Sequence, residues 1–326
     1  MIYFVTGGCG FIGSCFIEKV LHEENNALII NLDNLSYSSN KKFNSSIKKK
    51  NYIFIRGDIC DKKKVGYILN KFSPDYIVNF AAETHVDNSI NKSVPFLKTN
   101  VMGVYNILEQ VRKYFKKLNL KKRSIFKFIQ VSTDEVYGDS FKKNKPFSEE
   151  SKYKPSSPYS ASKAAADHLV EAWGRTYNIP YNITISSNNF GPRQYKEKII
   201  PKTIFCLKKK KSIPVYGKGN QLRDWIYVFD NVNAIISIIK KGKKNEKYNI
   251  CSGKLKTNIF LIKKICNLYD KIKNQKNSEK LIKFVTDRPG HDFSYNISNK
   301  KLKKIFFKNI SSDFEIKLFS TVKSYL

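Results

Sequence analysis

Thr6-Gly7-Gly8-Cys9-Gly10-Phe11-Ile12-Gly13 is the stretch that decides the fold. It follows an apolar run at residues 2–6 that reads as a strand, and it opens a helical pattern over 13–23. Glycines 7, 10 and 13 give a GxxGxxG spacing, which lets the backbone approach a pyrophosphate at a helix N-terminus. Such a string alone is weak evidence, and Asp33 strengthens it. That carboxylate ends the next strand-like run, at the interval where an acid bonds a ribose 2′-hydroxyl. It would repel a 2′-phosphate, so NAD is favoured over NADP.

Working outward, further strand-like runs lie at 27–32, 52–56, 76–80, 125–131 and 181–186, with helical stretches at 101–118 and 160–177. The alternation predicts an α/β fold: a Rossmann-type doubly wound parallel sheet with a smaller C-terminal α/β substrate-binding region. The expected division is a cofactor domain over 1–187, with a returning segment at about 226–252, and a discontinuous substrate region mainly in 188–326. Past residue 188 the pattern is expected to be loop-rich and irregular. In the last of the helical stretches, Ala164, Ala165, Leu169 and Trp173 are spaced for one buried face, and Pro158 stands near the start, where proline is tolerated. Gly7, Gly10, Phe11, Ile12, Gly13, Asp33 and Asn34 are the candidate cofactor residues of the first two units. Asp58-Ile59 and Ala81-Ala82, each just past a strand, are placed to line the adenine and the middle of the cofactor.

Two fragments carry the chemistry. Tyr159 and Lys163 lie four residues apart, on one face of a helix. A phenol has a pKa near ~10 and is a poor base, and a fixed ammonium one turn away favours the phenolate. Thr133, Asp134 and Glu135 follow a buried strand, at the carboxyl end where open parallel sheets place their ligands. Thr133 could bond the hydroxyl being oxidised. Two adjacent carboxylates offer one proton donor and one acceptor if their environments separate them. Together the fragments supply a base for alcohol oxidation and a separate acid/base pair, enough for a three-step sugar transformation.

The bulk properties set limits. The chain has 326 residues, enough for a large core, and no apolar run near the ~18 needed to span a bilayer. Met1 leads straight into the first strand, so no secretory peptide is expected and the cytoplasm is the expected location. Cysteines 9, 15, 60, 206, 251 and 266 show no metal-ligand rhythm, and histidines 22, 85, 168 and 291 do not cluster, so thiols and no metal are expected. The formal charge of +33 comes from 60 Lys+Arg against 27 Asp+Glu. Lysine is spread along the whole chain, and the runs 48–50, 208–211 and 240–244 mostly follow apolar helical patterns, where cations suit a helix C-terminus. A solvated surface is therefore expected rather than a nucleic-acid site, although the field would attract a diphosphate.

On these residues the chain resembles the extended short-chain dehydrogenase/reductase family, its nucleotide-sugar 4,6-dehydratases in particular. The likeness runs through TGGCGFIG at 6–13, LDNLSYSSN at 32–40, GDICD at 57–61, FAAETHVDNSI at 80–90 and STDEVYG at 132–138. It continues through PYSASKAAAD at 158–167, SSNNFGPRQYKEKIIP at 186–201, VYGKGNQLRDWIYV at 215–228 and DRPGHD at 287–292. The resemblance implies dTDP-glucose as substrate, NAD as cofactor, and a homodimer built on the 101–118 and 160–177 helices. It implies that Tyr159 and Lys163 serve cofactor and sugar, and that Asp134 and Glu135 eliminate water. His85, Val86, Thr133, Asn188, Lys198, Arg223, Arg288 and His291 would meet the nucleotide sugar. Dehydration of UDP-glucose, or epimerisation, is the alternative enzyme reading, although related epimerases lack the acidic pair. A basic nucleic-acid-binding protein on the same scaffold is the alternative outside enzymes.

Two departures bear on affinity. Phe293-Ser294 stand where the family has a basic residue before Tyr295, which Lys300 or Lys301 could replace. Arg193-Gln194-Tyr195-Lys196 stand where an apolar or proline pair is usual.

Overall fold

The computed structural model describes residues 1–47, 49–143, 145–306 and 313–326. Among the described residues the strands are β1 Ile2–Thr6, β2 Leu28–Asp33, β3 Tyr52–Arg56, β4 Tyr76–Asn79, β5 Lys127–Thr133, β6 Tyr181–Ser186, β7 Asn188–Phe190, β8 Ile213–Tyr216, β9 Leu222–Tyr227, β10 Glu246–Ile250, β11 Leu255–Thr257 and β12 Ile282–Val285. Seven make one parallel sheet in the order β10-β6-β5-β4-β1-β2-β3. The chain runs outward from β1 through β2 and β3, then returns to β4 on the other side of β1. That reversal opens a crevice at the carboxyl ends of β1 and β4, where doubly wound sheets bind their ligands.

Both faces of the sheet are covered. One apolar layer packs Phe16 and Ile17 of the helix Phe11–Glu23 with Val232 and Ile235 of Val228–Lys241. The other packs Val65 and Ile68 with Ile107, Val111 and Val170. Gly7 fixes the crevice floor. It has φ +68°, and a Cβ there would stand 2.6 Å from the Ala81 nitrogen. Only glycine lets the β1 turn lie against the β4 turn so closely.

Several sequence expectations are corrected. The strand expected at 125–131 is Lys127–Thr133, because Leu120–Ile125 is a short helix that ends at Phe126. The helix expected from 101 begins as a π-helix, Leu97–Gly103, before the α-helix Val104–Lys117. The chain past 188 is more regular than expected. It forms Ile199–Lys208, Val228–Lys241, Asn258–Lys273 and Phe314–Ser324, three of which close a separate core around Ile204, Ile265 and Leu318. Frequent lysines blur the apolar period there, while short strands leave little alternation to read.

Two of the lysine runs begin at helix ends, whereas Lys49 and Lys50 lie in irregular chain before β3. Lys208 sits in the last turn of Ile199–Lys208, and Lys240 and Lys241 in that of Val228–Lys241. Lys48 lies outside the described residues. No helix among the described residues is long and apolar enough to cross a membrane.

Candidate active site

A cleft of about 440 Å³ opens at the reversal between β1 and β4. The structure places all the sequence-derived site residues along it. On the cofactor side, Gly10 begins the helix Phe11–Glu23 without a side-chain cap. The N–H groups of its first turn therefore remain available to an anion. A Cβ at Gly13 would stand 2.5 Å from the Gly7 carbonyl oxygen, so the third glycine keeps turn and helix in contact. Asp33 accepts from the Cys9 and Leu35 nitrogens at 2.9 and 2.7 Å, which orients its carboxylate at the end of β2. Asn34 donates to Asp58 at 3.4 Å, and Asp58 accepts from the Cys60 nitrogen at 2.8 Å. This lining fits a dinucleotide: uncapped amides for a pyrophosphate, an acid for a ribose.

The catalytic candidates meet where β5 ends. Thr133 caps a single 3-10 turn, Asp134–Tyr137, with its hydroxyl accepting from the Glu135 nitrogen. Asp134 is buried, and Glu135 reaches the cleft. Asp134 Oδ2 and Glu135 Oε2 are buried without a hydrogen-bond partner among the described residues. Burial pushes Asp134 well above the usual carboxylate range, and the Glu135 charge adds to it. Burial raises Glu135 too, but Arg288, Arg223 and Lys198 act against that. The two carboxyls are therefore distinguished: the one deeper and less compensated, the other facing three cations.

Tyr159 and Lys163 project from the helix Pro158–Tyr177, which starts on a reciprocal Ser157–Ser160 cap with proline in its first turn. Burial and two carboxyls act against the expected pull of Lys163 on Tyr159 toward phenolate. Burial raises the phenol, and the charges of Glu135 and Asp134 raise it further. Lys163 instead donates to the Val131 carbonyl at 2.7 Å. Its own pKa is lowered by burial and held up by Asp167. Asp167 accepts from Ser132 and, at 3.1 Å, from Tyr153, and is pushed up to about 6 chiefly by burial.

The expected buried stripe of this helix is also corrected. Ala164 is buried, but Ala165, Leu169 and Trp173 are only partly so. The inward face carries Lys163, Ala166, Asp167 and Val170.

The remaining wall comes from the later chain. Lys198 begins the helix Ile199–Lys208 and donates to the Thr84 carbonyl at 2.7 Å. Asn188 lies on β7 with Oδ1 unpartnered among the described residues. Arg223 is tied to three backbone carbonyls, of Leu222, Phe293 and Asp292, and lies 4.2 Å from the Tyr295 ring centroid. Arg288 is less engaged: Nη1 meets Asp87 at 3.3 Å, and Nε has no partner among the described residues. His291 Nδ1 lies 2.6 Å from Asp287. His85 caps the helix Val86–Asn91 and stands 3.9 Å from Glu197.

Of the departures, Gln194 and Tyr195 line the cleft, whereas Arg193, Lys196, Phe293 and Ser294 do not. Phe293 packs on Phe141 at 4.4 Å between centroids, while Ser294 bonds Asp139 and Ser140. Lys301 pairs with Glu246, and neither Lys300 nor Lys301 lines the cleft, so neither replaces the missing cation. Arg193 turns away to Glu18 and to Cys15 of the first helix. Sequence reasoning missed Asp87, which bonds both Arg288 and Tyr216, and Asp167 beside the lysine. Both lie within motifs quoted above; only their partners reveal a role.

The family described as GDP-mannose 4,6 dehydratase has a model that matches residues 4–307. The chain belongs to that family. Among its relatives, the dTDP-glucose 4,6-dehydratase of Haemophilus influenzae is 42% identical over 328 residues, covering 99% of this chain and 97% of that one. The crystal structure of dTDP-glucose 4,6-dehydratase from Bacillus anthracis, in complex with NAD, superposes with a TM-score of 0.87 at 39% identity, covering 100% of this chain and 96% of that one. The Streptomyces venezuelae dTDP-glucose 4,6-dehydratase with NAD bound gives 0.89 at 32% identity, covering 100% and 97%.

Proposed function

We propose that the chain converts dTDP-glucose to dTDP-4-keto-6-deoxyglucose and water, as a nucleotide-sugar 4,6-dehydratase with tightly bound NAD. One observation carries the reading: Asp134 and Glu135 face the same cleft as Tyr159 and Lys163. An oxidoreductase or epimerase needs only the second pair. The relatives named dTDP-glucose 4,6-dehydratase support it over nearly the whole chain.

The uncapped first turn after Gly10, with Asp33, Asn34, Asp58, Ile59, Ala81 and Ala82, would hold the cofactor. Bound NAD accepts the hydrogen of sugar C4 as hydride and later returns it at C6. Tyr159 takes the proton of the 4-hydroxyl, with Lys163 fixed behind it. The new ketone acidifies the C5 proton, which Glu135 removes. Asp134, whose burial favours the protonated carboxyl, gives a proton to the departing 6-hydroxyl. Glu135 then reprotonates C5. Thr133 orients the 4-hydroxyl; Asn188, Lys198, Arg223, Arg288, His291 and His85 surround the sugar diphosphate. Arg288, with its unpartnered Nε, is the better placed arginine for a phosphate oxygen.

In this reading residues 1–187 and about 226–252 serve the cofactor, while the rest mainly serve the substrate. The working form is a homodimer joined through the helices Val104–Lys117 and Pro158–Tyr177. There Tyr105 (40% exposed) lies edge-on to Trp173, and Met102 of the adjoining π-helix is 55% exposed. Light scattering of Tyr105→Glu should give half the wild-type mass. The cytoplasm suits the six free thiols.

The test is turnover of dTDP-glucose against UDP-glucose at equal concentration, followed by the alkali-absorbing 4-keto product without added NADH. Faster dTDP-glucose turnover is expected. Product from UDP-glucose alone would move the substrate assignment, and no keto product from either would end it.

A further inference from the structure

We infer that Arg193 is a positioning residue for the dinucleotide: it latches the loop at residues 191–198 onto the cofactor wall of the cleft and slows NAD release. The inference rests on NAD as the cofactor. It goes beyond the dehydratase reading, because it needs no sugar.

The loop bridges two parts of the chain. It leaves β7 at Phe190 and ends at Lys198, where the helix Ile199–Lys208 begins. Gln194, Tyr195, Glu197 and Lys198 line the cleft, whereas Arg193 does not. Its guanidinium reaches the helix Phe11–Glu23, whose uncapped first turn is the pyrophosphate site. There Nη2 donates to Cys15 Sγ at 3.1 Å and pairs with Glu18. Burial raises the Cys15 thiol, so the sulfur accepts as a neutral group. The same guanidinium lies 5.0 Å from the ring centroid of Phe43, in the short helix Lys41–Ser46. That helix continues the segment after Asp33, which gives Ser36, Ser38 and Ser39 to the cleft. The Asn40 nitrogen ties this segment to the glycine turn, donating to the Cys9 carbonyl at 2.7 Å. Two residues beyond Arg193, Tyr195 meets Tyr37 of the same segment edge-on, at 5.5 Å between centroids. Arg193 and Tyr195 thus close the loop onto the wall that frames the ribose and pyrophosphate.

The latch opposes a cost. Arg193 has φ +70°. A residue with a Cβ occupies that left-handed region only where its surroundings hold it there. An apolar side chain could pack on Phe43 but could not bring a charge to Glu18. Other contacts anchor the loop on its far side. Tyr325 Oη lies 3.1 and 2.9 Å from the Gly191 and Gln194 carbonyl oxygens, and Gln194 Nε2 donates to the Asn189 carbonyl at 2.9 Å. Losing the guanidinium therefore leaves the loop folded and lets it part from the cofactor wall.

The holoenzyme, loaded with isotope-labelled NAD and diluted into excess unlabelled NAD, reports release directly. Arg193→Met keeps a stem on Phe43 and removes the fork, and Glu18→Gln removes the exposed half of the pair. Label should leave Arg193→Met at least about tenfold faster than wild type, with Glu18→Gln between them and the double variant no faster than Arg193→Met. Arg193→Lys should recover part of the retention. Rising salt should quicken release more steeply in wild type than in Arg193→Met, because only wild type has the ion pair to screen. With NAD in excess, kcat and the KM for dTDP-glucose should stay within about twofold. A wild-type release rate in Arg193→Met, or equal salt dependence in the two proteins, would overturn the latch. So would a raised KM for the sugar with release unchanged. Should Arg193→Met not fold, Glu18→Gln decides, because a wild-type rate there also overturns it. A wild type that retains no label overturns the latch too, while retention without any 4-keto product counts against the dehydratase reading alone.

Discussion

Asp87 Oδ1 lies 3.3 Å from Arg288 Nη1, across 201 residues of sequence, while its Oδ2 accepts from Tyr216 at 3.0 Å. Burial alone would raise this carboxyl, but the bonds from Tyr216 and Arg288 outweigh it and hold it below the usual range. One carboxylate thus fixes the arginine assigned to the diphosphate against the helix that begins at Val86. Asp87→Asn keeps the shape and loses the charge. It should raise KM for the nucleotide sugar about tenfold, equivalent to about 1.4 kcal/mol, with a much smaller change in kcat. Initial-rate kinetics check this, and an unchanged KM would show that Arg288 needs no such support.

Asp167 should show its part in a pH profile. It is the charge that holds up the Lys163 pKa against burial. Asp167→Asn removes that support, so Lys163 loses its proton at lower pH. The alkaline limb of kcat/KM should move toward acid, whereas a limb left in place would mean that Lys163 is insensitive to Asp167.

Lys127 offers a stability test with a definite sign. Its buried ammonium donates to the Ile238, Ile239 and Gly242 carbonyls at 2.9–3.2 Å, at the end of the helix Val228–Lys241. Burial, with the nearby Lys244 charge, lowers its pKa to about 8. Between that value and the ordinary lysine range the unfolded chain binds more protons, so stability from this group rises with pH over that window. Against Lys127→Met, wild type should gain roughly 3 kcal/mol between the two ends of it. Paired denaturant titrations at the two pH values measure the difference. A constant difference would mean that the three carbonyls offset the burial.

Gly7→Ala tests the crevice floor. The new Cβ would stand 2.6 Å from the Ala81 nitrogen, in a left-handed conformation. A cost of roughly 1–3 kcal/mol is expected from the conformation alone. The thermal midpoint should fall and copurified nicotinamide should be lost. Wild-type values of both would contradict the close approach.

The fold was legible where the residues encode backbone geometry. Gly7, Gly10, Gly13 and Asp33 pointed to the crevice because a tight turn, an open helix N-terminus and a strand-end acid each demand a residue type. The π-helix Leu97–Gly103 was not legible, since a wider hydrogen-bonding step leaves no residue signature. The stripe through Leu169 and Trp173 showed that a face seeks cover but not what covers it. Polar Lys163 and Asp167 take the inward side instead, because Lys163 donates to the Val131 carbonyl near the end of β5. In the site, Thr133, Asp134, Glu135, Tyr159 and Lys163 stood out by type and spacing. Asp87 did not, because its meaning lies in an arginine far along the chain.

The central claim is that one pocket oxidises C4, expels the 6-hydroxyl and returns the same hydride to C6. The most direct measurement incubates the purified protein with dTDP-glucose deuterated at C4, in ordinary water, and locates the label by NMR. The account predicts a 4-keto-6-deoxy product with the deuterium on C6, transferred within one molecule, and a solvent-derived hydrogen at C5. Label lost to water, label retained at C4, or label scattered between molecules would contradict it.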